Sequence, residues 1–379
     1  MHNPSRIAAL RARMQQSDLS VLYIRSLSNI AWISGFEKVF DTEMAHALIL
    51  TQDECIIHSD SRYAEALHDR AQGTKIRIDA SRTGHATILC DAIASCLTTE
   101  TDGTCAVGIE DSLTLSEFRA LERTRAERGS ISSATLIELS GFVEALREIK
   151  DPSEIEAMKR AQRITDAAFA RICDYMAVGM SERQVQLQLD QYLFEEGAEG
   201  LAFDTIVATG AHASSPHAIP SETLLEQGDA VVLDFGARYA GYCSDMTRTV
   251  FMGQPSDELT HAWTTLRETN ESCEALLHEG VSAASVHGHA EEMLSRAGYA
   301  GRMGHSLGHS VGLDIHEAPN LSPSNVEPVR AGNVVTVEPG IYVPGKFGMR
   351  LEDFGVITED GYDVFTKSTH KMVIIRRQL

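Results

Sequence analysis

Gly228-Asp-Ala-Val-Val-Leu-Asp234-Phe-Gly236 and, further along the chain, Gly332-Asn-Val-Val-Thr-Val-Glu338-Pro-Gly340 follow one pattern: glycine, a polar residue, an apolar β-branched run, an acid, glycine. Each is preceded by two helix-forming segments at matching distance. Asp151-Pro152-Ser153-Glu154 combines an N-cap, a proline at the first helical position and an N3 acid, and Ser256 opens the corresponding helix of the second copy. From helix start to hairpin acid is 83 positions in the first copy and 82 in the second, and Gly179-Met-Ser181 aligns with Gly280-Val-Ser282. Two registers held over such a length indicate an internal repeat. The pattern predicts helices from Asp151 to Gly179, Ser181 to Gly197, Ser256 to about Glu279 and Ser282 to Arg296. It also predicts a strand at Thr205 to Ala208 and hairpins at Ala230 to Val250 and Val334 to Ile357. The expected domain spans 141–379 and consists of two helix-helix-hairpin halves whose two-fold relation brings the hairpins together.

Outward from the repeat, residues 1–140 alternate helical and strand patterns and are expected to form a smaller α/β (α+β) domain. Arg6 to Gln16 and Arg62 to Gln72 read as helices, Ser20 to Ile24 as a strand, and Ala45 to Leu50 with Cys55 to His58 as a hairpin. Thr114-Leu-Ser-Glu117 is a capping box opening a helix toward Arg128. Chemistry is sparse here; the polar cluster Asp60-Ser-Arg-Tyr63 reads as a structural or interface feature. Two domains suit a chain of 379 residues, since single cores usually divide beyond roughly 250–300.

The balance of 54 acidic against 33 basic side chains, a formal net charge of −21, argues against nucleic acid or an anionic membrane as partner. No apolar run approaches the ~20 residues that span a bilayer. Met1 to Met14 lacks an apolar h-region, and the seven cysteines are scattered without a Cys-x-x-Cys pair. A reducing cytoplasm is the expected location.

Each hairpin carries an acid on each arm: Asp234 with Asp245, and Glu338 with Glu352. Acids on opposed strands can stand about 5 Å apart, and the apolar runs before Asp234 and Glu338 imply burial. Buried carboxylates that close must share protons or hold a cation, and four of them favour a metal. A second chemical region is Gly304-His305-Ser-Leu-Gly-His309-Ser-Val-Gly-Leu-Asp-Ile-His316-Glu317. Its glycines argue against a helix, so His305 and His309 are not a helical zinc pair; one imidazole can ligate while others face a substrate. His217, between Pro216 and Pro220, is expected at a pocket rim. Four carboxylates and one histidine make a ligand set for two divalent ions, with Mn(II) or Co(II) favoured over Zn(II). Strand parity puts Arg350 on the face of Glu352 with Met349 and Leu351 toward the core, where the arginine either clamps a substrate carboxylate or neutralises the acids.

At these residues the chain resembles the pita-bread metallopeptidases, the family of Xaa-Pro aminopeptidases and Xaa-Pro dipeptidases. The resemblance rests on Leu146-Arg-Glu-Ile-Lys-Asp151, Ser215-Pro-His-Ala218, Leu233-Asp-Phe-Gly236, Ser244-Asp-Met-Thr-Arg248, Gly304-His-Ser-Leu-Gly-His309, His316-Glu-Ala-Pro319, Val337-Glu-Pro-Gly-Ile-Tyr342 and Met349-Arg-Leu-Glu-Asp353. Arg25-Ser-Leu-Ser-Asn29 and Asp60-Ser-Arg-Tyr63 are similar to the family's creatinase-like N-terminal domain. The resemblance implies Asp234, Asp245, His309, Glu338 and Glu352 as ligands of two metal ions, with Asp245 and Glu352 bridging. It implies His217, His305 and His316 as substrate-contacting histidines, Arg350 as a site arginine and Glu338 as the proton acceptor. The implied reaction is attack of a metal-bridging hydroxide on the Xaa-Pro bond of a small peptide with proline in second position, by a homodimer or tetramer. One departure is Phe354, where family members often carry a further Asp; it lies outside the ligand set. Methionine aminopeptidases share the catalytic plan but not the first 140 residues, and creatinase-type amidinohydrolases lack the metal ligands. Relatives acting on a small metabolite such as an ectoine derivative, or a ligand-binding scaffold without catalysis, are the alternatives.

Overall fold

The computed structural model describes residues 3–36, 38–41, 43–99 and 104–379. The chain divides into two compact units, Met1–Arg147 and Glu148–Leu379.

In the first unit, β1 (Val21–Ile24), β2 (His46–Thr51), β3 (Cys55–Ser59), β4 (Arg77–Asp79), β5 (Ala106–Glu110) and β6 (Thr135–Leu139) form one mixed sheet in the order β4-β3-β2-β1-β5-β6. Its helices are α1 (Asn3–Gln16), α2 (Leu27–Ser34), α3 (Ala64–Ala71), α4 (His85–Thr99), α5 (Leu115–Glu127) and the short α6 (Glu144–Arg147). The expected hairpin is β2 against β3, and Thr114 and Glu117 form the expected capping box on α5. The helix expected over 62–72 splits. The Asp60 carboxylate accepts from the Arg62 amide and caps a 3-10 turn, Ser61–Tyr63, and α3 begins only after it.

The second unit repeats itself. Its first half runs α7 (Pro152–Tyr175), α8 (Glu182–Glu195), β7 (Gly200–Leu201), β8 (Ile206–Thr209), β9 (Ala230–Phe235), β10 (Ala237–Tyr239), β11 (Tyr242–Cys243) and β12 (Met246–Met252). The second runs α9 (Asp257–Leu276), α10 (Ala283–Arg296), β13 (His309–Ser310), β14 (Glu317–Asn320), β15 (Val334–Val337), β16 (Gly340–Val343), β17 (Phe347–Arg350), β18 (Asp353–Ile357), β19 (Tyr362–Val364) and β20 (Val373–Ile375). The main sheets are β20-β12-β9-β8 and β14-β13-β15-β18-β19, with β16-β17 extending the second hairpin and β11-β10-β7 completing the first. β9 and β15 are buried along their whole length, which is why neither alternates polar with apolar residues.

The repeat holds down to single hydrogen bonds. Gly179 N–H donates to Leu225 O as Gly280 N–H donates to Val329 O, and Leu225 N–H donates to Met180 O as Val329 N–H donates to Val281 O. Both glycines are left-handed, with φ of 93° and 89°, a conformation that favours glycine. One expectation is corrected: α7 ends at Tyr175, not Gly179. Met176 turns to ψ 141°, so that Met176 and Ala177 enter the core and Val178 pairs with Gln378.

Candidate metal centre

Each half delivers its acids where two strands converge. Asp234 lies near the end of β9, and Asp245 immediately precedes β12. They are not directly opposed as the hairpin reading expected, because the turn is filled by β10 and β11 and the register sets Asp234 against Thr247, leaving Asp245 on the diagonal. In the second hairpin Val337 faces Asp353 and Gly340 faces Arg350, a single register that puts Glu338 across from Glu352. His309 opens β13, the counterpart of β8 in the other half. Its backbone approaches β15 so closely at Gly308 that a Cβ there would lie 2.0 Å from the Thr336 carbonyl oxygen. Gly308 thus serves a close approach of two backbones, whereas Gly304 takes a left-handed φ of 74° with open space around it.

These residues meet in a cavity of about 520 Å³ whose lining includes Asp234, Asp245, His309, Glu338, Arg350 and Glu352 together with His217, His305 and His316. Ligand atoms of Asp245, His309 and Glu352 lie within 4.8 Å of one another. His309 Nε2 is 3.5 Å from both Asp245 Oδ2 and Glu338 Oε1. Its Nδ1 donates to Ser310 O, which leaves Nε2 with its lone pair toward the acids. Burial, then the neighbouring Asp234, pushes the Glu338 carboxyl up to about 8, despite the lowering effect of Arg350. Asp245 and Glu352 rise well above the carboxylate range, chiefly through burial and next through Glu352 for Asp245 and through Glu338 for Glu352. Burial lowers His309 to about 4, so the ring is neutral. Asp234 Oδ1 and Glu352 Oε1 are buried without a hydrogen-bond partner.

Arg350 is hydrogen-bonded throughout by groups of the protein. Its Nη2 donates to Asp234 Oδ2, Nε to Thr247 Oγ1 at 2.8 Å, and Nη1 to Tyr342 Oη at 2.8 Å and Pro216 O at 3.4 Å. Four of its five N–H groups are thereby committed inside the protein, which favours neutralising the acids over clamping a substrate. Met349 and Leu351 point into the core on the opposite face, as parity requires.

The three further histidines differ. His217 and His316 are exposed at the mouth, with the His316 ring centroid 4.5 Å from that of His309. His305 is enclosed and lowered to about 4, chiefly by burial. Its Nδ1 donates to Ser306 O, so Nε2 accepts from Tyr342 Oη at 3.2 Å. Tyr342 is held as the phenol, pushed up to about 12 by burial. Three hydroxyls to which the sequence reading gave no role thus complete the site: Tyr342 and Thr247, which lie inside the quoted motifs, and Thr336, which accepts from His309 N–H and stands 3.5 Å from Glu338 Oε1. Strand parity was the available signal, since Thr247 and Thr336 each lie two positions from a site acid. Phe354, the departure from the family pattern, is fully buried and packs edge-to-face on Phe365 at 5.2 Å.

Residues 156–359 match the family described as Metallopeptidase family M24, and residues 6–149 match the Creatinase/Prolidase N-terminal domain. The chain belongs to metallopeptidase family M24. Across 98% of its length this M24 chain is 34% identical to an uncharacterized peptidase, YqhT, of Bacillus subtilis, covering all of that relative. Among solved structures it is similar to the Xaa-Pro dipeptidase from Bacillus anthracis, with TM-score 0.86 and 33% identity over 98% of this chain and 100% of that one. It is also similar to the X-Pro aminopeptidase from Thermotoga maritima, with TM-score 0.82 and 31% identity over 96% and 100% of the two chains. The M24 fold is therefore the expected one, a pita-bread domain preceded by a creatinase-like domain. Among the described residues no helix is long and apolar enough to cross a membrane, and none of the seven cysteines is in a disulfide.

Proposed function

We propose that this M24 peptidase hydrolyses the bond before proline at the N-terminus of small peptides or in Xaa-Pro dipeptides, using two divalent cations held by Asp234, Asp245, His309, Glu338 and Glu352. The observation that carries the reading is the pair of orphaned buried oxygens, Asp234 Oδ1 and Glu352 Oε1, in a nest of acids into which His309 turns a lone pair. Such an arrangement is unfavourable alone and fits divalent cations. An oxygen-rich set with one imidazole suits Mn(II) or Co(II) better than Zn(II). When bound, the ions lower the pKa of water and polarise the scissile carbonyl.

The chain's own groups do the rest. Glu338, open to the cavity at 16% exposure, accepts the water's proton and passes it toward the leaving nitrogen. His316 at the mouth donates to the developing oxyanion. His305 is less suited, because its Nε2 already accepts from Tyr342. Phe203, Ile206, Ile315 and Pro216 give the cavity an apolar wall for a proline ring. The proline nitrogen has no N–H, so a dedicated wall replaces the donor that general peptidases require.

The test is hydrolysis of an Xaa-Pro dipeptide beside an Xaa-Pro tripeptide by chelated protein before and after adding Mn(II) or Co(II). Loss and recovery of cleavage supports the reading, the preferred peptide separates dipeptidase from aminopeptidase, and cleavage of neither by the loaded protein refutes it.

A further inference from the structure

Thr247 lies on β12 directly across from Asp234, fully buried, and its hydroxyl sits between the two halves of the site. Oγ1 is 2.8 Å from Arg350 Nε and 2.7 Å from Glu352 Oε2. A guanidinium only donates, so Oγ1 accepts from Nε–H and its single proton is directed at Glu352 Oε2. That oxygen is thereby committed as an acceptor, and Glu352 is left with Oε1 buried and without a partner. At the other end of the same guanidinium, Arg350 Nη2 holds Asp234 Oδ2 and leaves Oδ1 in the same condition. The backbone reinforces the clasp, with Glu352 N–H donating to Thr247 O at 3.1 Å.

We propose that Thr247 is a positioning residue: its hydroxyl, oriented by Arg350, fixes the rotamer of Glu352 and decides which carboxylate oxygen faces a bound cation. Asp234, Arg350, Thr247 and Glu352 form one chain of hydrogen bonds, donated outward from the guanidinium toward both ends, that joins an acid of the first half to an acid of the second. The β-branched side chain on a strand restricts χ1, so the hydroxyl is held in place before any cation arrives. Outer partners of this kind set ligand orientation, and their loss typically lowers metal affinity by about 10–100-fold.

The inference rests on the proposal that these acids hold divalent cations, and the test separates the two. Metal-depleted wild type, Thr247→Val, Thr247→Ala and Thr247→Ser are titrated with Mn(II) by calorimetry, and the Co(II)-loaded forms are compared by visible absorption. Failure of wild type to bind Mn(II) overturns the metal reading itself. Given binding by wild type, Thr247→Val and Thr247→Ala, whichever folds by circular dichroism, are expected to lose about 10–100-fold in affinity for at least one equivalent and to shift the Co(II) spectrum. Thr247→Ser, which keeps the hydroxyl, is expected to stay within about threefold of wild type. Wild-type affinity and spectrum in a hydroxyl-free variant overturn the inference, as does a serine variant as impaired as valine, since that would assign the effect to the methyl group.

Discussion

Replacing Asp245 by asparagine is expected to change stability with opposite sign in the metal-free and metal-loaded protein. Asp245 is buried, and its carboxyl is within 4.8 Å of a carboxylate oxygen of Glu352, with Asp234 and Glu338 also raising it. Two unit charges about 5 Å apart at an effective dielectric of ~20 repel by ~3 kcal/mol. Removing the Asp245 charge relieves repulsion of that order wherever both groups are ionised. The folded values of Asp245, Glu338 and Glu352 are raised, so the folded protein binds more protons than the unfolded chain between the ordinary carboxylate range and the raised values. Stability of the metal-free wild type therefore falls as pH rises through that window, which for Glu338 reaches about 8. In differential scanning calorimetry of chelated protein, Asp245→Asn is expected to melt at least about 5 °C above wild type at pH 8.5, taking roughly 2–4 °C per kcal/mol for a domain of this size. The difference should shrink toward pH 5, where the acids are protonated. With Mn(II) present the order reverses, because wild type gains stability from binding and the variant, lacking one ligand, gains little. A metal-free variant that melts below wild type at pH 8.5, or that keeps the wild-type Mn(II) shift, would refute the claim that these acids are held together for a cation.

Gly308→Ala forces a Cβ to within 2.0 Å of Thr336 O, so His309 must move; weaker Mn(II) binding by calorimetry and a stability loss of roughly 1–3 kcal/mol in urea unfolding are expected. Tyr342→Phe removes the phenol that donates to His305 Nε2 and accepts from Arg350; NMR titration of His305 should detect a changed pKa, while Mn(II) stoichiometry stays as in wild type. Lys150→Met leaves the Glu317 carboxylate without its 3.1 Å ion-pair partner at a buried site and is expected to destabilise by about 3–5 kcal/mol, read as a lower urea midpoint.

The repeat was legible because it is written twice. The paired glycines, the acids after apolar runs and the capping residues Asp151, Ser181 and Ser256 give the same local instructions in both halves, and α8 and the hairpins follow them. The end of α7 was not legible. Nothing local stops the helix at Tyr175; it is the burial of Met176 and Ala177 and the pairing of Val178 with distant Gln378 that end it. The opposition of acids was read correctly for Glu338 and Glu352 but not for Asp234 and Asp245, since strand parity tells which face a residue occupies while register depends on the turn. The partners of Arg350 could not be chosen from sequence either. They are Thr247, Tyr342, Asp234 and Pro216, which converge on one guanidinium from segments more than a hundred residues apart, Tyr342 excepted.

The most direct test of the account is an activity titration: metal-depleted protein assayed on an Xaa-Pro dipeptide while Mn(II) is added stepwise, with bound metal counted by elemental analysis at each step. Hydrolysis is expected to be absent at the start and to reach its plateau as occupancy approaches two ions per chain. Turnover that persists undiminished in the metal-free protein, or a plateau unrelated to metal bound, would contradict it.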